Sequence, residues 1–247
     1  GFDRNFWIWE EYQPGSTYLI TADVARGDGK DFSTFHVFKI ETMEVVGEYQ
    51  GKITPDLFSN VLIQAGKEYG SCMVVVENMA AGFSVFEKLI DNEYPNIYYS
   101  YKSSHEYVDQ LTAEYANNTV AGFSTTTKTR PLIIAKMEEF VRNKLIKVYS
   151  SRLLQEMKTF VWHNGKPQAM RSFNDDLIMA CAIGCWVKDT AFEVGQKDLE
   201  YKKAMVGAMK LNTRKIQTTI PGMQGHRQGV WSDNAKKEMQ DQKDFIW

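Results

Sequence analysis

Asp23, Glu77 and the adjacent pair Asp175 and Asp176 are the residues of this 247-residue chain whose types and places suit chemistry. Asp23 closes the apolar, β-branched run Tyr18-Leu19-Ile20-Thr21-Ala22, just before a loop containing Gly27, Asp28 and Gly29. Glu77 closes a second such run, Cys72-Met73-Val74-Val75-Val76. The two aspartates precede residues 177–187, which are apolar on nearly every helical face. A carboxylate at the end of a buried strand is costly unless a cation neutralises it, and the first strand holds no Lys or Arg. Oxygen ligands of this kind suit hard divalent cations, Mg2+ or Mn2+. Two such ions about 4 Å apart activate water and clamp a phosphodiester for in-line displacement, which is nuclease chemistry.

For these acids to act together, the fold must bring strand ends and one helix start to the same edge of a sheet. Residues 18–22 and 34–40 read as a hairpin whose first arm is central, and 45–50 as a third strand with Gly47 inside it. Thr54 and Pro55 open a helix that ends near Gly70, and 82–92 forms another that leads through Pro95 to a strand at 97–101. Strand, helix, strand at this spacing implies parallel pairing in an α/β fold. A helix follows from 125–131 to Asn143, then a short one at 151–157. Two runs flanking Asn164-Gly165 predict a hairpin, and the last core helix starts near Ser172. The conventional account of Asp175 and Asp176 is dipole compensation in a cap completed by Ser172. It explains one exposed acid better than two at the head of a buried helix, and the spacing leaves open which of the two is the ligand.

Other residues read as ordinary. Asp28 and Asp31 are auxiliary candidates as outer ligands, although Asx-type turn bonds are the simpler expectation. His36, His105 and His163 lack metal-ligand spacing, and Tyr107 and His105 fall in a loop that can lie beside the site. Cys72, Cys181 and Cys185 form no CxxC pair and read as buried thiols. No apolar run approaches the length of a membrane span, no signal peptide is present, and no GxxxxGK[ST] motif occurs. The start lacks Met and is aromatic (Phe6, Trp7, Trp9, Tyr12), which points to an excised fragment whose first residues lie across the domain surface or into a neighbour.

Charge is uneven along the chain. Residues 1–120 hold 8 Lys and Arg against 18 Asp and Glu, whereas 121–171 hold 10 against 3. That basic segment suits a polyanion. Lys128, Arg130, Lys136, Lys166 and Arg171 are its candidate phosphate contacts, and the polar start of the helix at 125–131 offers free N–H groups for a phosphate. Beyond Thr190 the sequence becomes charged and Gln-rich, an appendage with a helical patch at 199–211.

YLITADVARGDGKDFSTFHVFKI at 18–40, VVVEN at 74–78, TTTKTRPLIIAKMEEF at 125–140 and SFNDDLIMA at 172–180 resemble the C-terminal nuclease domain of the large terminase subunit of T-even-type tailed bacteriophages. The resemblance implies an α/β fold of the RNase H/integrase type, with a mixed central sheet flanked by helices. It implies a linker at 1–17 from a missing ATPase domain, a nuclease domain at 18–191 and a hydrophilic tail at 192–247. The family's catalytic, metal-binding acids fall on Asp23, Glu77 and the Asp175-Asp176 pair, with Asp31 in a loop kept acidic near the metal. The implied activity is Mg2+- or Mn2+-dependent cutting of concatemeric double-stranded DNA during headful packaging in the host cytoplasm. The implied partners are DNA, the ATPase domain, the prohead portal and the small terminase subunit, with no membrane. An actin- or sugar-kinase-like ATPase also begins with an Asp and a Gly-containing hairpin, but the second phosphate loop it needs is missing.

Overall fold

The computed structural model describes residues 5–79, 81–101 and 119–192. The expectations placed on His105, Tyr107 and the tail beyond Phe192 lie outside these residues. Five strands form the main sheet: β1 (Phe6–Ile8), β2 (Tyr18–Asp23), β3 (Ser33–Lys39), β4 (Glu44–Gly51) and β5 (Met73–Val76), in the order β1-β4-β3-β2-β5. All pairs are antiparallel except β2 with β5, so the sheet is mixed. The aromatic start therefore contributes an edge strand, with Phe6 opposite Tyr49. Strand β4 runs unbroken through Gly47, opposite a register shift between Val37 and Phe38.

Alternation along these strands divides the core in two. Leu19, Phe38, Val45 and Val75 face one layer, and Ile20, Ala22, Phe35, Val37, Val74 and Val76 face the other. The second layer is α1 (Pro55–Glu68) and α2 (Gly82–Asp91). The first layer is α3 (Thr129–Arg142), α4 (Ser151–Thr159) and α5 (Asp176–Val187), with α5 lying directly on β2 and β3. Eleven of the twelve residues of α5 are buried, as an all-round apolar helix requires. Its start differs from expectation. Ser172 has φ +72°, Asp175 is the N-cap, and no side chain of the cap residue bonds the helix. Thr54 likewise precedes α1 without a side-chain cap bond, and Pro55 supplies the first turn.

The strand expected at 97–101 is shorter, β6 (Tyr99–Tyr101), and pairs antiparallel with β7 (Thr119–Ala121). Parallel bridges from Val74 to Ile97 and from Glu77 to Phe123 carry the hydrogen bonding on from β5. The hairpin around Asn164-Gly165 is β8 (Phe160–His163) and β9 (Lys166–Ala169), and both turn residues have positive φ, 51° and 72°. That is the conformation a two-residue type I′ turn demands. Cys72, Cys181 and Cys185 are free and buried. Among the described residues no helix is long and apolar enough to cross a membrane.

Candidate active site

In the parallel β2–β5 pair, Ala22 lies opposite Val76, and the N–H of Glu77 donates to the carbonyl of Ala22 at 2.9 Å. Asp23 and Glu77 are thus the next step of one register, and both share the parity of Leu19 and Val75, which face α5. Their carboxylates stand near enough for the charge of Glu77 to act on Asp23. Burial raises the Asp23 pKa well above the ordinary carboxylate range, and Glu77, Asp176 and Asp175 raise it further in that order of importance. The backbone behind Glu77 is tightly packed, since a Cβ on Gly82 at the start of α2 would sit 1.9 Å from the Glu77 carbonyl oxygen. Gly82→Ala must therefore push α2 away from the strand end, and we expect it to lower the melting temperature by about 2–8 °C. An unchanged thermal melt would show that this approach is not needed.

The third carboxylate comes from α5. Asp176 is 9% exposed, and its Oδ2 accepts from the Phe32 N–H at 2.8 Å and from Asn174 Nδ2 at 3.2 Å. Burial raises its pKa to about 6, assisted by the charges of Asp31 and Asp175 and opposed by those two hydrogen bonds. Asp175 has a different set of partners, since its Oδ2 accepts from the Arg130 guanidinium and from the Ala169 N–H at 3.2 Å. The same guanidinium donates through Nε to the carbonyl of Pro167 at 3.0 Å, which ties α3, the β8–β9 hairpin and the start of α5 together.

A polar ladder holds α5 in register with the sheet. Thr34 Oγ1 donates to the carbonyl of Asp176 at 3.0 Å, His36 Nε2 to that of Leu177 at 2.9 Å, and Thr21 Oγ1 to that of Ala180 at 2.6 Å. All three side chains are completely buried. Burial lowers the His36 pKa, with Glu48 opposing, and Nε2 must carry a proton because the Leu177 carbonyl can only accept. From α4, buried Glu156 accepts from the N–H groups of Leu177 and Ile178 at 3.0 and 3.2 Å, and its pKa rises to about 8, chiefly through burial. Thr21 and Thr34 carry a sequence signal, because they are polar at inward-facing parity in apolar strands. Glu156 carries none, as it reads like any charged residue of a short helix.

Several sequence expectations change here. Asp23, Glu77 and Asp176 are neighbours, but among the described residues no three His, Cys, Asp or Glu side chains are gathered closely enough to hold an ion by themselves. Asp28 and Asp31 are exposed and make no side-chain hydrogen bond among the described residues, so the Asx turns are absent there. Asp31 acts on Asp176 only through its charge. Arg130 is engaged with Asp175, and Lys136 with Glu139 at 2.9 Å and Asp189 at 3.0 Å, so both of these expected phosphate contacts already hold acidic partners within the chain. The start of α3 offers no vacant N–H cluster either. Thr126 Oγ1 already accepts from the N–H groups of Lys128 and Thr129, and the Thr126 carbonyl from that of Arg130. Lys128, Lys166 and Arg171 are exposed and make no ion pair among the described residues.

A mixed α/β sheet with carboxylates at the ends of adjacent strands, faced by an acidic helix start, defines the class. No family model and no curated protein sequence matches the chain. Solved structures do match. The large terminase nuclease from thermophilic phage G20c with bound magnesium has a TM-score of 0.56 and 17% identity, over 73% of this chain and 86% of that one. The same nuclease with bound cobalt gives 0.56 and 16% over the same shares. The large terminase nuclease domain of Thermus phage P74-26 gives 0.54 and 18%, over 72% and 83%. At this identity the likeness establishes a shared fold.

Proposed function

We propose that this chain is a metal-dependent endonuclease with an RNase H/integrase-like fold that cuts double-stranded DNA for a phage packaging motor. The observation that carries the reading is the Asp23–Glu77 pair at the ends of the adjacent strands β2 and β5, with Asp176 near enough to act on Asp23 through its charge. Structural neighbours of the same fold hold magnesium, cobalt or zinc. The donor set fits a hard cation. Every candidate ligand atom is a carboxylate oxygen, and Mg2+ is commonly bound through one or two carboxylates, with water and substrate phosphate completing the shell. A three-carboxylate cage is therefore unnecessary. Asp23, Glu77 and Asp176 would hold one or two Mg2+ or Mn2+ ions, which supply charge neutralisation of the phosphodiester and activation of water. We assign the ligand role to Asp176 over Asp175, because Asp175 is already paired with the Arg130 cation, whereas Asp176 accepts only from the neutral donors of Phe32 and Asn174.

In this reading the remaining parts have stated tasks. Phe32 and Asn174 orient Asp176, and Arg130 holds Asp175 and the hairpin. Lys128, Lys166 and Arg171 contact phosphates without reading sequence, as headful cutting of concatemers requires. The parent protein would be a large terminase subunit of T-even type. Residues 1–17 would be the linker arriving from its ATPase domain, with Phe6–Ile8 paired into the nuclease sheet; 18–191 would be the rest of the nuclease and 192–247 the tail. The portal of the prohead and the small terminase subunit would be partners in the host cytoplasm.

Plasmid cleavage by the purified chain with Mg2+ or Mn2+, abolished by chelator, tests the activity. A chain that neither cuts plasmid nor shows a cation-dependent rise in melting temperature would refute it. The DNA contacts have a separate test. Neutralising Lys128, Lys166 and Arg171 together is expected to reduce the slope of log affinity against log salt by about 2–3. Neutralising Lys136 alone is expected to leave it unchanged.

A further inference from the structure

Helix α5 begins with an unusual division of labour. Its first intrahelical hydrogen bond runs from the Met179 N–H to the Asp175 carbonyl at 2.9 Å, so the N–H groups of Leu177 and Ile178 have no partner within the helix. An aspartate at the N-cap ordinarily satisfies such groups with its own carboxylate. Asp175 does not, and the next residue, Asp176, also turns its carboxylate elsewhere. The two donors are met from a different helix by Glu156 Oε2, at 3.0 and 3.2 Å. Glu156 is 8% exposed, and Gln50 Nε2 donates to its Oε1 at 3.3 Å. Its helix is anchored separately, by Ser150 Oγ accepting from the Leu153 N–H at 3.1 Å.

We propose that Glu156 is a positioning residue for the metal-binding Asp176 and its neighbour: by capping α5 from α4 it keeps Asp175 and Asp176 from folding back onto the helix's own N–H groups. The inference rests on the metal-dependent nuclease reading and deepens it. With Leu177 and Ile178 satisfied, the Asp175 carboxylate is left for Arg130 and Ala169, and Asp176 is left for Phe32, Asn174 and the side facing Asp23. Removing Glu156 leaves two unpaired donors one turn from two carboxylates. The nearest way to satisfy them is to withdraw one acid from the site.

Mn2+ binding to the full chain, measured by calorimetry, tests this without relying on turnover, and plasmid cleavage is read alongside. Glu156→Ala is expected to weaken Mn2+ binding by about 10–100-fold and to lower kcat in proportion, while the KM for DNA stays unchanged. Glu156→Gln keeps an acceptor at the same reach and is expected to restore most of both. Should the alanine chain fail to fold, Glu156→Asp keeps the carboxyl group but shortens the reach by one methylene, and it should weaken Mn2+ binding in the same direction. Equal Mn2+ affinity in the wild-type and alanine chains, or in the wild-type and aspartate chains, overturns the inference. So does a glutamine chain as impaired as the alanine one. A wild-type chain that binds no Mn2+ overturns the nuclease reading itself, and the inference with it.

Discussion

Asp23→Asn is expected to reduce plasmid cleavage at least about a thousandfold with the chain still folded, and Glu77→Gln by a comparable factor. Each variant keeps the shape of the side chain and removes the negative charge that a divalent cation needs. Stability should move the opposite way. The Asp23 pKa is raised in the folded chain, so between the ordinary aspartate value and the raised one the native state holds a proton that the unfolded chain has lost. Stability is therefore lost as pH rises through that window, and the amide escapes this loss. In chelator at pH 8 the Asp23→Asn chain should melt about 2–5 °C above the wild type, with the difference vanishing below about pH 4. Adding Mg2+ or Mn2+ should raise the wild-type melting temperature and leave the variant nearly unmoved. Cleavage surviving in both variants would place the site elsewhere.

The second large effect concerns the far end of the sheet. Glu48 on β4 is completely buried, and Arg152 Nε donates to its Oε1 at 2.8 Å, while the guanidinium also reaches the Asn5 carbonyl at 3.2 Å and lies 3.8 Å over the Trp7 ring. One cation thus joins α4, β4 and the residues flanking β1. Arg152→Met leaves a buried carboxylate without its counter-ion, and we expect a loss of about 3–5 kcal/mol in urea unfolding. The double variant Glu48→Gln/Arg152→Met should recover part of it, because the stranded charge is gone. A single variant within about 1 kcal/mol of the wild type would show that Glu48 is neutralised by other means. The same measurement bears on the site, since α4 also carries Glu156.

How much of this was legible beforehand follows from the range of each interaction. Apolar runs ended by an acid announced β2 and β5 with Asp23 and Glu77 at their ends, because strand periodicity and the cost of a buried charge are local facts. The all-apolar α5 and the Asn164-Gly165 hairpin were equally plain, the latter because few residues accept positive φ at both turn positions. Charge counting found the basic segment but not the fate of its members. Arg130 and Lys136 are engaged by Asp175, Glu139 and Asp189, and for Arg130 and Asp175 that pairing joins residues 45 positions apart. Nor did spacing decide between Asp175 and Asp176, since both stand at one helix start and only their partners separate them, Arg130 of α3 and Ala169 of β9 for the one, Phe32 and Asn174 for the other.

The sequence by itself thus determined which acids end the core elements and on which edge of the sheet they lie. Side-chain period and hydrophobic pattern are properties of consecutive residues. Only the tertiary structure decided that Asp23 and Glu77 interact, that Arg130 holds Asp175 and that Glu156 caps α5. Those interactions join residues 21 to 54 positions apart, and each depends on which strands and helices pack as neighbours.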